Sequence, residues 1–320
     1  MTRGFLLGKF MPPHAGHVFL CQAAANLCHH LTVLVCSLPD DPVPGGLRYD
    51  WMRALLPEST VVHYDRVVPQ EPEDHPDFWP IWRAICQEAH PHPIDRVFGS
   101  EPYIHRLAAE LGAMPVLIDP DRLTFPISGS AVRADPAATW DFIPGVVRPF
   151  FQKRVVLFGA ESVGKSTMTK ALATHFGGPY LPEYGRTYDA NRPSGDWTAV
   201  DFQTIAAGHR ALRAALAPMA GPVLFEDTDP LLTQVWRHFL TGERPSTRAP
   251  DLADLYLLLD IDMPWVDDGT RYQLDRQRRA EFHGRCRQIL QETGANYRVI
   301  SGSAEDRWTA CLTEISHLTD

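Results

Sequence analysis

Residues 159–166 read Gly-Ala-Glu-Ser-Val-Gly-Lys-Ser and follow directly on the apolar run Val155-Val156-Leu157-Phe158. This is GxxxxGK[ST] with the strand before it that the motif needs, so a strand must end at Gly159 and a helix must open near Lys165. Gly159 and Gly164 let the backbone curl into a nest of N–H groups aimed at phosphate oxygens. The new helix adds the positive end of its dipole. In this reading Glu161, Ser162, Val163 and Thr167 belong to an ATP cradle, Lys165 reaches the β- and γ-phosphates, and the Ser166 hydroxyl ligates Mg²⁺. The bland alternative is a chance glycine-rich turn, and the complete match with both flanking elements disfavours it.

Such a loop needs a carboxylate for the metal. The apolar strand Pro222-Val223-Leu224-Phe225 ends in Glu226-Asp227-Thr228-Asp229. Asp227 is the expected Mg²⁺-facing group, with Asp229 acting beside it or capping a following helix.

A second nucleotide-handling signature opens the chain. Gly8-Lys9-Phe10-Met11-Pro12-Pro13-His14-Ala15-Gly16-His17 follows another apolar stretch. Two imidazoles, His14 and His17, at a helix N-terminus make a site for phosphate oxygens, and Gly16 permits close backbone approach. Much later comes Ile127-Ser128-Gly129-Ser130-Ala131-Val132-Arg133. Ser128 and Ser130 offer hydroxyls at a helix start, and Arg133 can neutralise developing charge. Together these elements would hold a second ATP through Gly8, Lys9, Phe10, Ser128 and Ser130. An incoming phosphate would attack its α-phosphorus and pyrophosphate would leave, with no protein nucleophile.

At 320 residues the chain predicts two α/β domains, 1–149 and 150–320, because strands alternate with helices in each half. A net charge of −9 argues against a general nucleic-acid or anionic-membrane binder. The six cysteines show no CxxC pair or zinc spacing, and no signal peptide or membrane-length apolar run is visible, so a reducing cytoplasm is the expected setting. The Pro-rich stretches Pro39–Pro44 and Pro69–Pro80 are expected to be loops.

The pairing HxGH…ISGSAVR resembles the nicotinamide-nucleotide adenylyltransferases, and the order of motifs across nearly the whole chain is similar to the bifunctional NadR proteins. Asp119-Pro120-x-Arg122, Glu183-Tyr184-Gly185-Arg186, Ala207-Gly208-His209, Asp227-Thr228-Asp229 and Pro264-Trp265-Val266-Asp267-Asp268-Gly269-x-Arg271 carry that likeness. It implies a Rossmann-like nucleotidyltransferase sheet followed by a P-loop kinase sheet. It also implies salvage of NAD: nicotinamide riboside phosphorylated to the mononucleotide (NMN) by the second half, and NMN adenylated to NAD by the first. Some members begin with a helix-turn-helix domain. This chain starts at the first strand, so no operator-DNA binding is expected by that route. The loop at 37–46 is a shorter, Pro-rich version, and Pro230-Leu231-Leu232 stands where aromatic and polar residues are more usual.

Within the second half, Glu183 is a candidate base for a ribose hydroxyl, with Asp227 its rival. Tyr184, Arg186 and Asp229 are expected beside the acceptor. Trp265 with Asp267 and Asp268 would suit a cationic nicotinamide ring, or form core and a solvated turn. Arg271, Arg276, Arg278 and Arg279 are either a segment that closes on the transferring phosphoryl group or a solvated helix face. Two other readings stay open: the same chemistry on another nucleoside or vitamin-derived acceptor, and an ATP/NAD sensor with little turnover. A homo-oligomer is also left open.

Overall fold

Two separate five-stranded sheets, all of whose pairings are parallel, organise the molecule. The computed structural model describes residues 1–243, 251–263 and 276–319. The chain divides into two compact units, Met1–Arg148 and Pro149–Asp320.

The first unit runs β1 (Arg3–Gly8), α1 (Ala15–Asn26), β2 (His30–Cys36), α2 (Gly45–Leu55), β3 (Thr60–Tyr64), α3 (Phe78–Ala89), β4 (Arg96–Gly99), α4 (Tyr103–Leu111), β5 (Met114–Leu117) and α5 (Gly129–Ala134). Its sheet has the order β3-β2-β1-β4-β5. The order reverses direction at β1, and ligands of open α/β sheets bind at the carboxyl end of strands flanking such a switch. β2 is nearly continuous apolar sequence because helices cover both its faces: Leu31 and Val33–Cys36 are all buried.

The stretch 37–46, expected as loop throughout, gives way to α2 at Gly45. Burial of Trp51 and Met52 drives that helix, and Arg48, wholly buried, anchors its first turn. Arg48 donates to the carbonyls of Lys9 (2.7 Å) and Cys36 (3.3 Å) and pairs with Asp41 at 2.5 Å. One guanidinium therefore ties the Pro-rich segment to the ends of β1 and β2.

A short helix, α6 (Arg148–Phe151), leads into the second unit. That unit runs β6 (Lys153–Phe158), α7 (Lys165–His175), β7 (Tyr180–Leu181), α8 (Tyr184–Asn191), α9 (Ala199–Leu216), β8 (Val223–Asp227), α10 (Pro230–Thr241), β9 (Leu255–Leu259), α11 (Arg276–Glu292), β10 (Tyr297–Ile300) and α12 (Ala304–Thr319). The strand order is β10-β9-β6-β8-β7, so β6 lies between two strands that come later in the chain. Leu157 of β6 is level with Asp227 of β8, which sets that carboxylate next to the loop that follows β6. Val155–Phe158, Phe225 and Leu255–Leu259 form the centre of the core. Among the described residues no helix is long and apolar enough to cross a membrane.

Candidate active sites

In the first unit His14 is the N-cap residue of α1, and its ring stacks on that of His17 with centroids 3.7 Å apart. A Cβ on Gly16 would come within 3.2 Å of the His14 ring, so the glycine leaves room for this fold-back. Burial, then the charge of Arg122, lowers the pKa of His14 to about 4. Burial, His14 and Arg122 lower that of His17 as well. Both imidazoles are therefore neutral at pH 7, ready to donate a hydrogen bond to a phosphate oxygen without a proton being taken up first.

The two distant signatures meet here. A Cβ on Gly129 would lie 2.5 Å from the Met11 carbonyl oxygen, and Arg133 donates to that same oxygen. Ser128 caps α5 by accepting from the Ala131 N–H at 3.1 Å, and Ser130 Oγ lies 3.5 Å from the Arg133 guanidinium. Gly8, Lys9, Phe10, His17, Ser128, Ser130 and Arg133 line one cavity of about 700 Å³, with Phe78, Trp79, Trp82 and Tyr103 on its apolar side. His14 lines an adjoining cavity with Gly16, His17 and Arg122. Arg122 and this aromatic wall are site features that sequence reasoning missed. The Trp–x–x–Trp spacing of one helical turn at 79–82 was the available signal.

In the second unit the loop 159–166 takes left-handed backbone at Gly159 (φ 135°), Ser162 (φ 60°) and Gly164 (φ 91°). A Cβ on Gly159 would lie 2.9 Å from the Leu259 carbonyl oxygen, so β9 presses on the loop's start. Lys165 Nζ donates to the Ala160 carbonyl at 2.8 Å, folding over the loop it serves. Ser166 and Thr167 are exposed in the first turn of α7. Asp227 is buried at the end of β8, with one carboxylate oxygen lacking a partner among the described residues. Its neighbour Glu226 is held by Arg154 (2.7 Å) and Arg213 (2.9 Å), which fixes the strand end.

Glu183 precedes α8 and pairs with Arg186 at 3.5 Å. Burial raises its pKa; Lys165 opposes the rise and Asp227 adds to it, so the three groups share one electrostatic neighbourhood. A cavity of about 170 Å³ is lined by Glu161, Lys165, Glu183, Arg186, Trp197, His209 and Trp236, among others. His209, buried in α9, has neither ring nitrogen hydrogen-bonded among the described residues, and burial lowers its pKa to about 4. Trp197 and Trp236 line this cavity, and the Trp197 ring already carries the Arg192 guanidinium at 3.9 Å and the Phe202 ring at 5.3 Å. Trp265, Asp267, Asp268 and Arg271 lie outside the described residues.

Three expectations are corrected. Asp229 does not line the cavity: one carboxylate oxygen caps α10 by accepting from Leu231 N (2.9 Å) and Leu232 N (3.0 Å), and the other accepts from the Tyr256 hydroxyl (2.7 Å). Tyr184 also lies outside the lining, because its ring covers Gly208 of α9, where a Cβ would come within 2.1 Å of it. Arg279 is neither a solvated face nor a phosphoryl clamp. It is buried and donates to the carbonyls of Glu161 (3.2 Å), Ser162 (3.3 Å) and Met263 (3.2 Å). Arg307, which the sequence did not single out, is buried too and donates to the Val163 carbonyl at 2.9 Å.

A protein-family profile described as "AAA domain" matches residues 154–307. The "Trifunctional NAD biosynthesis/regulator protein NadR" of Escherichia coli (strain K12) is 30% identical over 338 residues, spanning 97% of this chain and 82% of that protein. A crystal structure of NadR protein in complex with NR superposes with a TM-score of 0.79 at 21% identity, covering 99% of this chain and 96% of that one. A NadR protein in complex with NAD and AMP-PNP gives a TM-score of 0.76 at 21% identity and the same coverage. The likeness covers both units, and the chain belongs to the NadR family.

Proposed function

We propose that this chain makes NAD in two ATP-dependent steps, one in each unit. The Pro149–Asp320 unit, a P-loop kinase, phosphorylates nicotinamide riboside to NMN. The Met1–Arg148 unit, a Rossmann-like nucleotidyltransferase, adenylates NMN to NAD and releases pyrophosphate. The observation that carries the reading is the meeting of Gly129 and Arg133 with the Met11 carbonyl, which joins two signatures more than a hundred residues apart around one cavity.

In the kinase step the N–H groups of residues 159–166 and the ammonium of Lys165 bind the β- and γ-phosphates. Glu183 accepts the proton of the ribose hydroxyl as it attacks the γ-phosphorus, ADP leaving. Trp236 and the carboxylates of Glu161 and Glu183, which line the cavity, favour a cationic pyridinium ring over a neutral base. The oxygen donors Ser166 and Asp227 suit Mg²⁺, since the unpartnered buried carboxylate oxygen of Asp227 calls for a cation. When bound, that ion neutralises phosphate charge.

In the adenylylation step His14, His17 and Arg133 hold the triphosphate so that the NMN phosphate meets the α-phosphorus in line. Neutral imidazole N–H groups donate to the charge that develops there, and positioning does the rest. Phe78, Trp79 and Trp82 offer a surface for a flat base.

Labelled ATP given with nicotinamide riboside, and separately with NMN, tests the assignment. NMN plus ADP in the first case and NAD plus pyrophosphate in the second are expected. Turnover only with another nucleoside, or nucleotide binding without product, would reject it.

A further inference from the structure

The inner face of the loop 159–166 is its phosphate face; its outer face carries an arrangement that no motif describes. Three consecutive outward carbonyls, those of Glu161, Ser162 and Val163, accept hydrogen bonds from two arginines. Arg279 Nε lies 3.2 Å from the first and its Nη2 3.3 Å from the second, while Arg307 Nη1 lies 2.9 Å from the third. Both side chains are almost wholly buried, at 6% and 1% exposure. They come from different helices, α11 and α12. Each also grips the segment after β9: Arg279 donates to the Met263 carbonyl at 3.2 Å, and Arg307 to the Asp260 carbonyl at 3.0 Å and the Asp262 carboxylate.

In a trans peptide the carbonyl of one residue points opposite to the N–H of the next. The carbonyls of residues 161–163 therefore share peptide units with the N–H groups of Ser162, Val163 and Gly164. A guanidinium on the outer oxygen turns that peptide plane so that its N–H faces the phosphates. It also polarises the peptide, making the N–H a better donor. Ser162 needs such restraint, because a non-glycine residue at φ 60° is held there only when its surroundings fix it.

We propose that Arg279 and Arg307 are positioning residues for phosphoryl transfer: a two-armed clamp on the outer face of the loop that sets its affinity for the ATP phosphates without touching them. The proposal rests on the kinase reading of this unit. It predicts which substrate suffers when the clamp is loosened: the nucleotide, not the acceptor.

Arg279→Gln and Arg279→Lys test it in the full chain. Arg279→Gln is expected to raise the KM for ATP in nicotinamide riboside phosphorylation about tenfold, the loss of a charged donor on two carbonyls. The KM for nicotinamide riboside should stay within about twofold, and adenylylation of supplied NMN should be unchanged. Arg279→Lys, which keeps the charge but not the fork, should fall between. Arg307→Lys should act in the same direction; since Arg307 also holds Asp262, its melting temperature is measured alongside. AMP-PNP titrated into the full chain carrying His17→Ala reads the loop without any acceptor. It therefore separates failure of the clamp from failure of the acceptor assignment. An unchanged ATP KM and AMP-PNP affinity in folded Arg279→Gln would overturn the proposal. So would equal losses for both substrates, or a parallel loss of adenylylation, since these mark a merely structural role.

Discussion

Glu183, the proposed base of the phosphorylation step, shows how burial and neighbouring charges tune a single carboxylate. Burial raises its pKa while Lys165 and Arg186 keep the ionised form within reach. A base with a raised pKa loses activity as the pH falls through that pKa, because its protonated form accepts nothing. The kcat for nicotinamide riboside phosphorylation is expected to decline on acidification with a midpoint above the ordinary glutamate value. Glu183→Gln should remove that limb and lower kcat by roughly 10²–10⁴-fold at neutral pH. A pH–rate profile of the two proteins checks this. If the acidic limb persists in the variant, the proton goes elsewhere, and Asp227 is the next group to change. The histidines of the first unit illustrate the opposite treatment: His14 and His17 have their pKa values lowered, so over pH 6–8 neither changes charge, and adenylylation should show no inflection from them.

At the scale of elements, α10 begins where β8 ends, and Asp229 is the reason. Its carboxylate caps the helix and holds the Tyr256 hydroxyl, yet burial raises its pKa from 3.8 to about 6. The folded state thus binds this proton more tightly than the unfolded state does. The associated stability is complete below pH 3.8 and is lost as the pH rises through 6. A shift of this size corresponds to on the order of 3 kcal/mol at neutral pH. Asp229→Asn keeps the cap acceptor without the charge, so its stability relative to the parent should rise between pH 4 and pH 7 in urea unfolding curves. A difference independent of pH would count against a buried ionised Asp229. In the first unit the sensitive contact is between loops. Gly129→Ala would drive a methyl group into the Met11 carbonyl, 2.5 Å from where its Cβ would stand. That substitution should cost adenylylation at least tenfold through misplacement of the two motifs, since about 1 Å of displacement costs on the order of 100-fold. Intact phosphorylation and a modest fall in thermal stability should accompany the loss.

At the scale of the whole molecule, two phosphate sites built on two separate sheets should be separable by mutation. Lys165→Ala is expected to abolish phosphorylation of nicotinamide riboside and leave adenylylation of supplied NMN largely intact; His17→Ala should do the reverse. Loss of both reactions from either change in a folded protein would refute independent sites. The sequence by itself determined where the GxxxxGKS and HxGH turns lie and the α/β alternation around them, because each is local: glycine φ freedom and a helix start act on adjacent residues. The start of α10 is local too: the cap that Asp229 offers is the one the structure shows, whereas α2 begins at Gly45 inside a Pro-rich stretch that reads as loop. Only the tertiary structure decided what surrounds the loops. The order β10-β9-β6-β8-β7 places β6 between strands that come later in the chain. That is what brings Asp227 level with the end of β6, Trp236 to the cavity that Lys165 and Glu183 line, and Arg279 and Arg307 to the outer carbonyls of a loop more than a hundred residues earlier. A buried guanidinium is stable only where several carbonyls or carboxylates converge, and such convergence is a property of the packed sheet and helices, not of any short stretch of chain.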